Sequence, residues 1–128
     1  MRFLRFLHKS EPLWKKAEKQ AARYLQRKGY TLLHRNMRLG RYEVDIIVRK
    51  DDVVAFVEVR SRAADSVTTP EETIQYTKRS HLRAAMRYYL AQHEEPGIYY
   101  RFDVMGVVIL PDGKMELTHT ESAFTLDE

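Results

Sequence analysis

The stretch that decides the fold is Tyr42-Glu43-Val44-Asp45-Ile46-Ile47-Val48-Arg49-Lys50-Asp51-Asp52-Val53-Val54-Ala55-Phe56-Val57-Glu58-Val59-Arg60. Two runs rich in β-branched residues, Glu43–Lys50 and Val53–Arg60, flank Asp51-Asp52, which reads as a tight turn. Both runs are apolar at odd and even positions alike, as strands covered on both faces are. Pairing Lys50 with Val53 carries Asp45 opposite Glu58 and Glu43 opposite Arg60. A four-residue loop keeps this register; a three-residue loop breaks it. Alternation places Glu43 and Asp45 on one face.

Opposed residues hold their Cβ atoms about 4.5–5.5 Å apart, where like charges destabilise a sheet. Two ionised carboxylates between apolar strands need a shared proton or a cation. Mg²⁺ suits them, because it takes carboxylate and water oxygens and keeps positions open for phosphate. Such a site supports phosphodiester cleavage. A plainer reading stands beside it: Glu43–Arg60 as a cross-strand ion pair, with Asp45 reaching Arg62 or a backbone donor.

Outward from the hairpin, Ser10, Pro12 and Gly29 bound a first helix with Trp14, Ala17, Ala21, Tyr24 and Leu25 on its apolar face. Tyr30–Asn36 reads as a strand and Ser61–Thr69 as a loop. Thr69-Pro70-Glu71-Glu72 forms a capping box that opens a long helix ending near Gln92. Tyr99–Leu110 and Met115–Thr120 read as strands around the turn Pro111-Asp112-Gly113. The order α-β-β-β-α-β-β predicts an α/β sandwich, one mixed sheet with helices packed on it. Residues 1–10 read as a basic N-terminal extension and 11–128 as a single domain.

Two charged residues fall on apolar helix faces. Glu18 lies in line with Trp14, Ala21 and Leu25, either at the stripe's edge or directed inward. Lys78 lies between Ile74 and Leu82, either snorkelling over the core edge or aiming its ammonium at the sheet and a phosphate.

The 128 residues are 44% hydrophobic and 31% charged, enough for a core. No cysteine is present, which excludes disulfides, thiolate metal sites and cysteine nucleophiles. The five histidines show no i, i+4 pair, which disfavours a zinc hydrolase. No apolar run reaches the roughly 20 residues that cross a bilayer, and Arg5 interrupts the apolar start. The reading is a cytoplasmic protein with no membrane partner.

The net charge of +4 divides unevenly. Residues 1–41 carry twelve Lys/Arg against two acids, and residues 42–128 carry ten against sixteen. A basic portion joined to an acidic one suggests a polyanion partner. Lys15, Lys19, Arg23 and Arg27 repeat every four residues on the first helix. Gln75, Arg79, Arg83 and Arg87 do so on the second, and Arg35, Arg38 and Arg62 lie near the strands. These are the candidate phosphate contacts. Tyr42, Tyr76 and Tyr88 are either base-stacking or packing residues.

These residues carry a resemblance. Ala17-Glu18, Ala21-Ala22-Arg23-Tyr24-Leu25, Lys28-Gly29-Tyr30, Arg35-Asn36, Tyr42-Glu43-Val44-Asp45-Ile46-Ile47 and Phe56-Val57-Glu58-Val59-Arg60-Ser61-Arg62 follow in the order of the bacterial YraN family. Lys78-Arg79, Arg101-Phe102-Asp103-Val104 and Ser122-Ala123-Phe124 continue it. The resemblance implies a restriction-endonuclease-like fold with a PD-(D/E)xK signature, similar to archaeal Holliday-junction resolvases. It implies Mg²⁺ or Mn²⁺ held by Asp45, Glu58 and the Val59 carbonyl, assisted by Glu43 and Glu18. Arg60 takes the place of the signature lysine, and Tyr42 that of a family glycine. Arginine stays protonated and cannot serve as a base; it can orient water or neutralise phosphate, and Lys78 is placed to share the role. The implied activity is metal-dependent hydrolysis of DNA, with branched DNA of repair or recombination as substrate and a homodimer as the acting form. The competing expectations are a DNA-binding module that does not cut and a protein-interaction subunit that docks through its acidic half.

Overall fold

A computed structural model of the chain describes residues 11–65 and 76–127. The elements are α1 (Leu13–Arg27), β1 (Thr31–Leu39), β2 (Tyr42–Lys50), β3 (Val53–Ala63), α2 (Tyr76–His93), β4 (Tyr99–Ile109) and β5 (Met115–Phe124). Their order is the one the sequence predicts. The strands form one mixed sheet in the order β1-β2-β3-β4-β5. Only β3 and β4 run parallel, and α2 lies between them in the chain, as a parallel crossover requires. Ser10, the capping box at 69–72 and Gln75 lie outside the described residues. Among those described, no helix is long and apolar enough to cross a membrane.

Both sheet faces are covered, which explains the unbroken apolar runs. Ala17, Ala21, Ala22 and Leu25 of α1 pack on Ile46, Val48, Ala55, Val57, Met105 and Val107. On the other face, Leu82, Ala85, Met86 and Tyr89 of α2 pack on Ile47, Val54, Phe56 and Phe102. Alanines at the α1 contact let the helix approach closely. Gly29 takes a left-handed φ of 98° after α1, and Tyr30 N–H returns to the Leu25 carbonyl, so the chain turns sharply into β1.

Three strands outrun the sequence reading. β1 continues to Leu39, and β5 to Phe124. β3 takes in Ser61-Arg62-Ala63 because β4 pairs with it along its whole length, from Val53↔Tyr99 to Ala63↔Ile109. Polar residues extend a strand when a neighbour supplies the ladder.

The sequence gives no sign of a second polar centre beneath β5. Asp103 is 1% exposed and accepts from Arg101 Nε (2.9 Å), His119 Nε2 (2.7 Å) and Ser122 N (3.0 Å). Lys28 Nζ lies 3.1 Å from His119 Nδ1. An ammonium can only donate, so Nδ1 accepts and the ring proton on Nε2 goes to Asp103. The Arg101 guanidinium also donates to the Tyr30 hydroxyl. Burial raises the Asp103 pKa, but the His119, Arg101 and Ser122 hydrogen bonds outweigh it and hold the carboxyl below its usual range. The network ties α1 and β4 to the outer strand.

Removing one partner of a buried ion pair leaves a charge unpaired. Arg101→Ala is therefore expected to cost about 3–5 kcal/mol of stability. Urea denaturation checks this, and a loss under about 1 kcal/mol contradicts the network's role.

Candidate functional site

The β2–β3 register follows the expected pairing from Lys50↔Val53 to Ile46↔Val57, and the ladder stops there. Asp45/Glu58 and Glu43/Arg60 lie beyond its end. The alternation of β2 also breaks at this point. Ile46 and Val48 pack toward α1 and Ile47 toward α2, but Val44 joins Ile47 rather than Ile46. Simple alternation therefore does not carry through Asp45, although the Glu43 charge still acts on the Asp45 carboxyl and both act on Glu18. Opposite the break, Asn36 of β1 sits between the pairs Arg35↔Ile46 and Met37↔Val44 with a left-handed φ of 51°. Asn is among the few residues that tolerate this backbone.

Asp45 fills the gap between the parting strands. Its Oδ2 accepts the Val59 N–H at 2.8 Å. Asp45 and Glu58 share a hydrogen bond that favours ionised Asp45 and protonated Glu58. Glu58 is 4% exposed. Burial first, and the adjacent Asp45 charge second, push its pKa up to about 8, against the pull of Lys78 and Arg60. Burial raises Asp45 as well, opposed by the Val59 N–H and Lys78. Glu58 Oε2 lies 3.5 Å from Lys78 Nζ yet has no hydrogen-bond partner among the described residues; the ammonium attracts this oxygen without satisfying it. Lys78 thus points at the sheet.

The other acids form a second pair. Glu18 is buried on α1, with Arg35 Nη2 3.8 Å from its Oε1. With its amide nitrogen toward the acids, Asn36 donates to Glu18 Oε1 at 3.1 Å and Glu43 Oε1 at 3.3 Å. Burial, then the Asp45 charge, raises the Glu18 pKa. Among the described residues, no three of His, Asp and Glu gather into a metal cage. The break in β2 brings Glu43 to Glu18 rather than to Glu58. Asn36, which joins them, carries no catalytic signal in sequence; its place opposite Asp45 follows only from the β1–β2 register.

The basic candidates separate. Lys15, Arg23 and Arg27 are exposed on α1, and Lys19 reaches Glu11 at 2.9 Å. Arg35 turns to Glu18, and Arg38 pairs across the ladder with Glu43. Arg62 Nη1 donates to the Ala63 carbonyl, and Arg79 is half-buried. Arg83 is a correction: it is 5% exposed and donates to the Thr125 carbonyl at 2.7 Å. Its guanidinium lies over the Phe124 ring. Arg87 donates to the Leu126 carbonyl. These two fasten the segment after β5 to α2, Arg83 from a buried position that takes it out of an open phosphate surface and Arg87 from an exposed one. Tyr42 stacks on His81 with ring centroids 4.7 Å apart, packing the β1–β2 turn on α2.

A family model described as "Uncharacterised protein family UPF0102" matches residues 17–107. The chain belongs to this family, the YraN family. A UPF0102 protein of Pelotomaculum thermopropionicum is 40% identical over 115 residues, 88% of this chain and 94% of its own. One from Clostridium acetobutylicum is 37% identical over 110 residues, 85% and 90% of the two chains. One from Chlorobaculum tepidum is 36% identical over 124 residues, 91% and 96%. The UPF0102 match spans Glu18, Glu43, Asp45, Glu58, Arg60 and Lys78.

A carboxyl whose folded pKa lies above its unfolded value loses stability as pH rises from the unfolded pKa to the folded one. For Glu58 that window runs from about 4.5 to about 8. Glu58→Gln removes the ionisation but keeps the size. In metal-free buffer its urea midpoint relative to the natural chain is expected to rise from pH 5 to pH 8. A constant difference contradicts the buried, protonated Glu58.

Proposed function

We propose that the chain is a metal-dependent nuclease of the PD-(D/E)xK type, with a restriction-endonuclease-like fold, hydrolysing phosphodiester bonds in DNA. The observation that carries this reading is the pair Asp45 and Glu58. Glu58 is buried and Asp45 half-buried beside it where two strands part, with a Glu58 oxygen that has no hydrogen-bond partner among the described residues and the Lys78 ammonium next to it. Structural ion pairs satisfy their oxygens; this pair keeps one in reserve.

The donor set fits Mg²⁺ or Mn²⁺, which commonly bind through one or two carboxylates plus water and phosphate oxygens. Asp45, Glu58 and the Val59 carbonyl would hold the ion, and Glu58 would release its proton on binding. Bound there, the metal supplies an activated water and neutralises charge on the phosphate. The chain's own part is placement. The Val59 N–H fixes the Asp45 carboxylate. Lys78 balances the carboxylate pair and, with Arg60, offers positive charge to a phosphate. Arg60 keeps its proton, so it orients rather than abstracts. Glu18 and Glu43, joined by Asn36, add negative charge beside Asp45 and would assist the metal. Lys15, Lys19, Arg23, Arg27, Arg38 and Arg79 provide backbone contacts. Similarity to junction resolvases favours branched DNA of repair or recombination, a homodimer and a cytoplasmic setting.

A second reading rests on Arg60 itself: a binding module that holds DNA and does not cut. An assay with Mg²⁺ and Mn²⁺ on single-stranded, duplex, flap and four-way-junction DNA, and on RNA, separates the two. Asp45→Ala and Glu58→Ala are each expected to lower Mg²⁺ affinity at least about 100-fold in calorimetric titrations. Cutting is lost with it, while DNA binding persists. No cutting at any metal concentration, with salt-dependent DNA binding intact, selects the binding module. Unchanged metal titrations in both variants remove the site.

A further inference from the structure

A separate basic cleft lies between α1 and the β4–β5 turn. Lys16, Lys19, Gln20 and Arg23 form one wall, Gly113, Lys114 and Met115 the other, around about 570 Å³. Among the described residues, no carboxylate lines it. The spacing i, i+3, i+4, i+7 places the helix residues on one face. At 1.5 Å per residue, Lys16 to Arg23 spans about 10 Å. A duplex strand advances about 3.4 Å along the axis per phosphate while winding around it, so the wall is long enough to meet more than one.

The opposite wall is held in place before any ligand arrives. Gly113 N donates to the Leu110 carbonyl at 2.9 Å, and Leu110 N to the Lys114 carbonyl at 2.8 Å. Lys114 N donates to Asp112 Oδ1 at 2.9 Å. This turn fixes the backbone that carries the Lys114 ammonium. Lys19 touches Glu11 and Lys114 lies 4.0 Å from Asp112, both acids outside the cleft. Among the described residues, neither Lys16 nor Arg23 has a carboxylate within ion-pairing distance.

We infer that this cleft seats a run of nucleic-acid backbone phosphates, independently of the carboxylate pair and of any metal. That the phosphates belong to nucleic acid rests on the proposed function. The open, concave, cationic shape suits a polymer passing through it. A bilayer surface calls for an exposed apolar face beside the charge; among the described residues Met115 is the one apolar side chain in the lining, and the exposed Leu13 and Trp14 at the start of α1 lie outside it. Lys16 and Lys114 lie outside the span of the UPF0102 match. The cleft thus extends the phosphate contacts to Gln20 and Lys114, and it brings Lys16, which lies beside the basic stripe of the first helix, onto the same wall.

The test is fluorescence anisotropy of a labelled DNA duplex in EDTA across a salt series. The proteins are the natural chain, Lys16→Gln/Arg23→Gln/Lys114→Gln, and Arg49→Gln at the other end of the sheet. In the triple variant, affinity near 0.1 M salt is expected to fall at least about tenfold, and the log–log salt slope to shrink by about two to three units. The slope of Arg49→Gln stays unchanged, as does the Mg²⁺ titration of the triple variant. A natural salt slope in the triple variant overturns the cleft. So does a natural chain that ignores DNA in EDTA, or one that instead sediments with phosphatidylcholine–phosphatidylserine vesicles. Loss of Mg²⁺ binding in the triple variant overturns its independence. Lys114→Gln alone, in an exposed turn, keeps the test decisive if the triple variant melts early. Failure of the cleft leaves the metal titrations of Asp45→Ala standing, and failure of those leaves the DNA salt slopes standing.

Discussion

Val59 lies between β2 and β4, yet its N–H donates to the Asp45 carboxylate. A buried N–H must find an acceptor, and the β2–β3 ladder ends before it can supply a carbonyl. Asp45 takes that place. The carboxylate is thereby fixed inside the sheet, and the strands part around it. Glu58, one residue before Val59, then meets Asp45 in a region that burial makes hostile to two charges. The shared proton, the nearby Lys78 ammonium and the unsatisfied Glu58 oxygen all follow from this substitution of side chain for backbone.

The two buried polar centres do opposite things. Around Asp103, Arg101, His119 and Ser122 give the carboxylate at least three donors, and its pKa falls. Around Glu58, donors are short and the pKa rises. A satisfied network holds β5 and α1 in place. An undersupplied one is a poor clamp, but it retains ligand capacity. The molecule thus keeps stability and reactivity in different parts of the sheet.

The positive charge is likewise divided by structure rather than by sequence. Arg35 turns inward to Glu18, and Arg83 and Arg87 hold the carbonyls after β5. Lys16 and Arg23 remain on the open side of α1, facing the Lys114 turn. A repeat of four residues aligns side chains along a helix. Which part of the row faces solvent depends on what packs beside it.

The sequence by itself determined the element order, the mixed α/β class and the hairpin register from Lys50↔Val53 to Ile46↔Val57. These follow from alternation, apolar run length and turn residues, all local in the chain. The approach of Asp45 to Glu58 was legible because the same register nearly reaches it. Tertiary structure decided the rest. Left-handed Asn36 and the break in β2 brought Glu43 to Glu18 through Asn36, and packing of α2 chose the inward aim for Lys78. The Asp103 network needed three segments, Lys28–Tyr30, Arg101–Asp103 and His119–Ser122, to meet. Burial and neighbouring charge set a side chain's protonation and direction, and both come from residues distant in sequence.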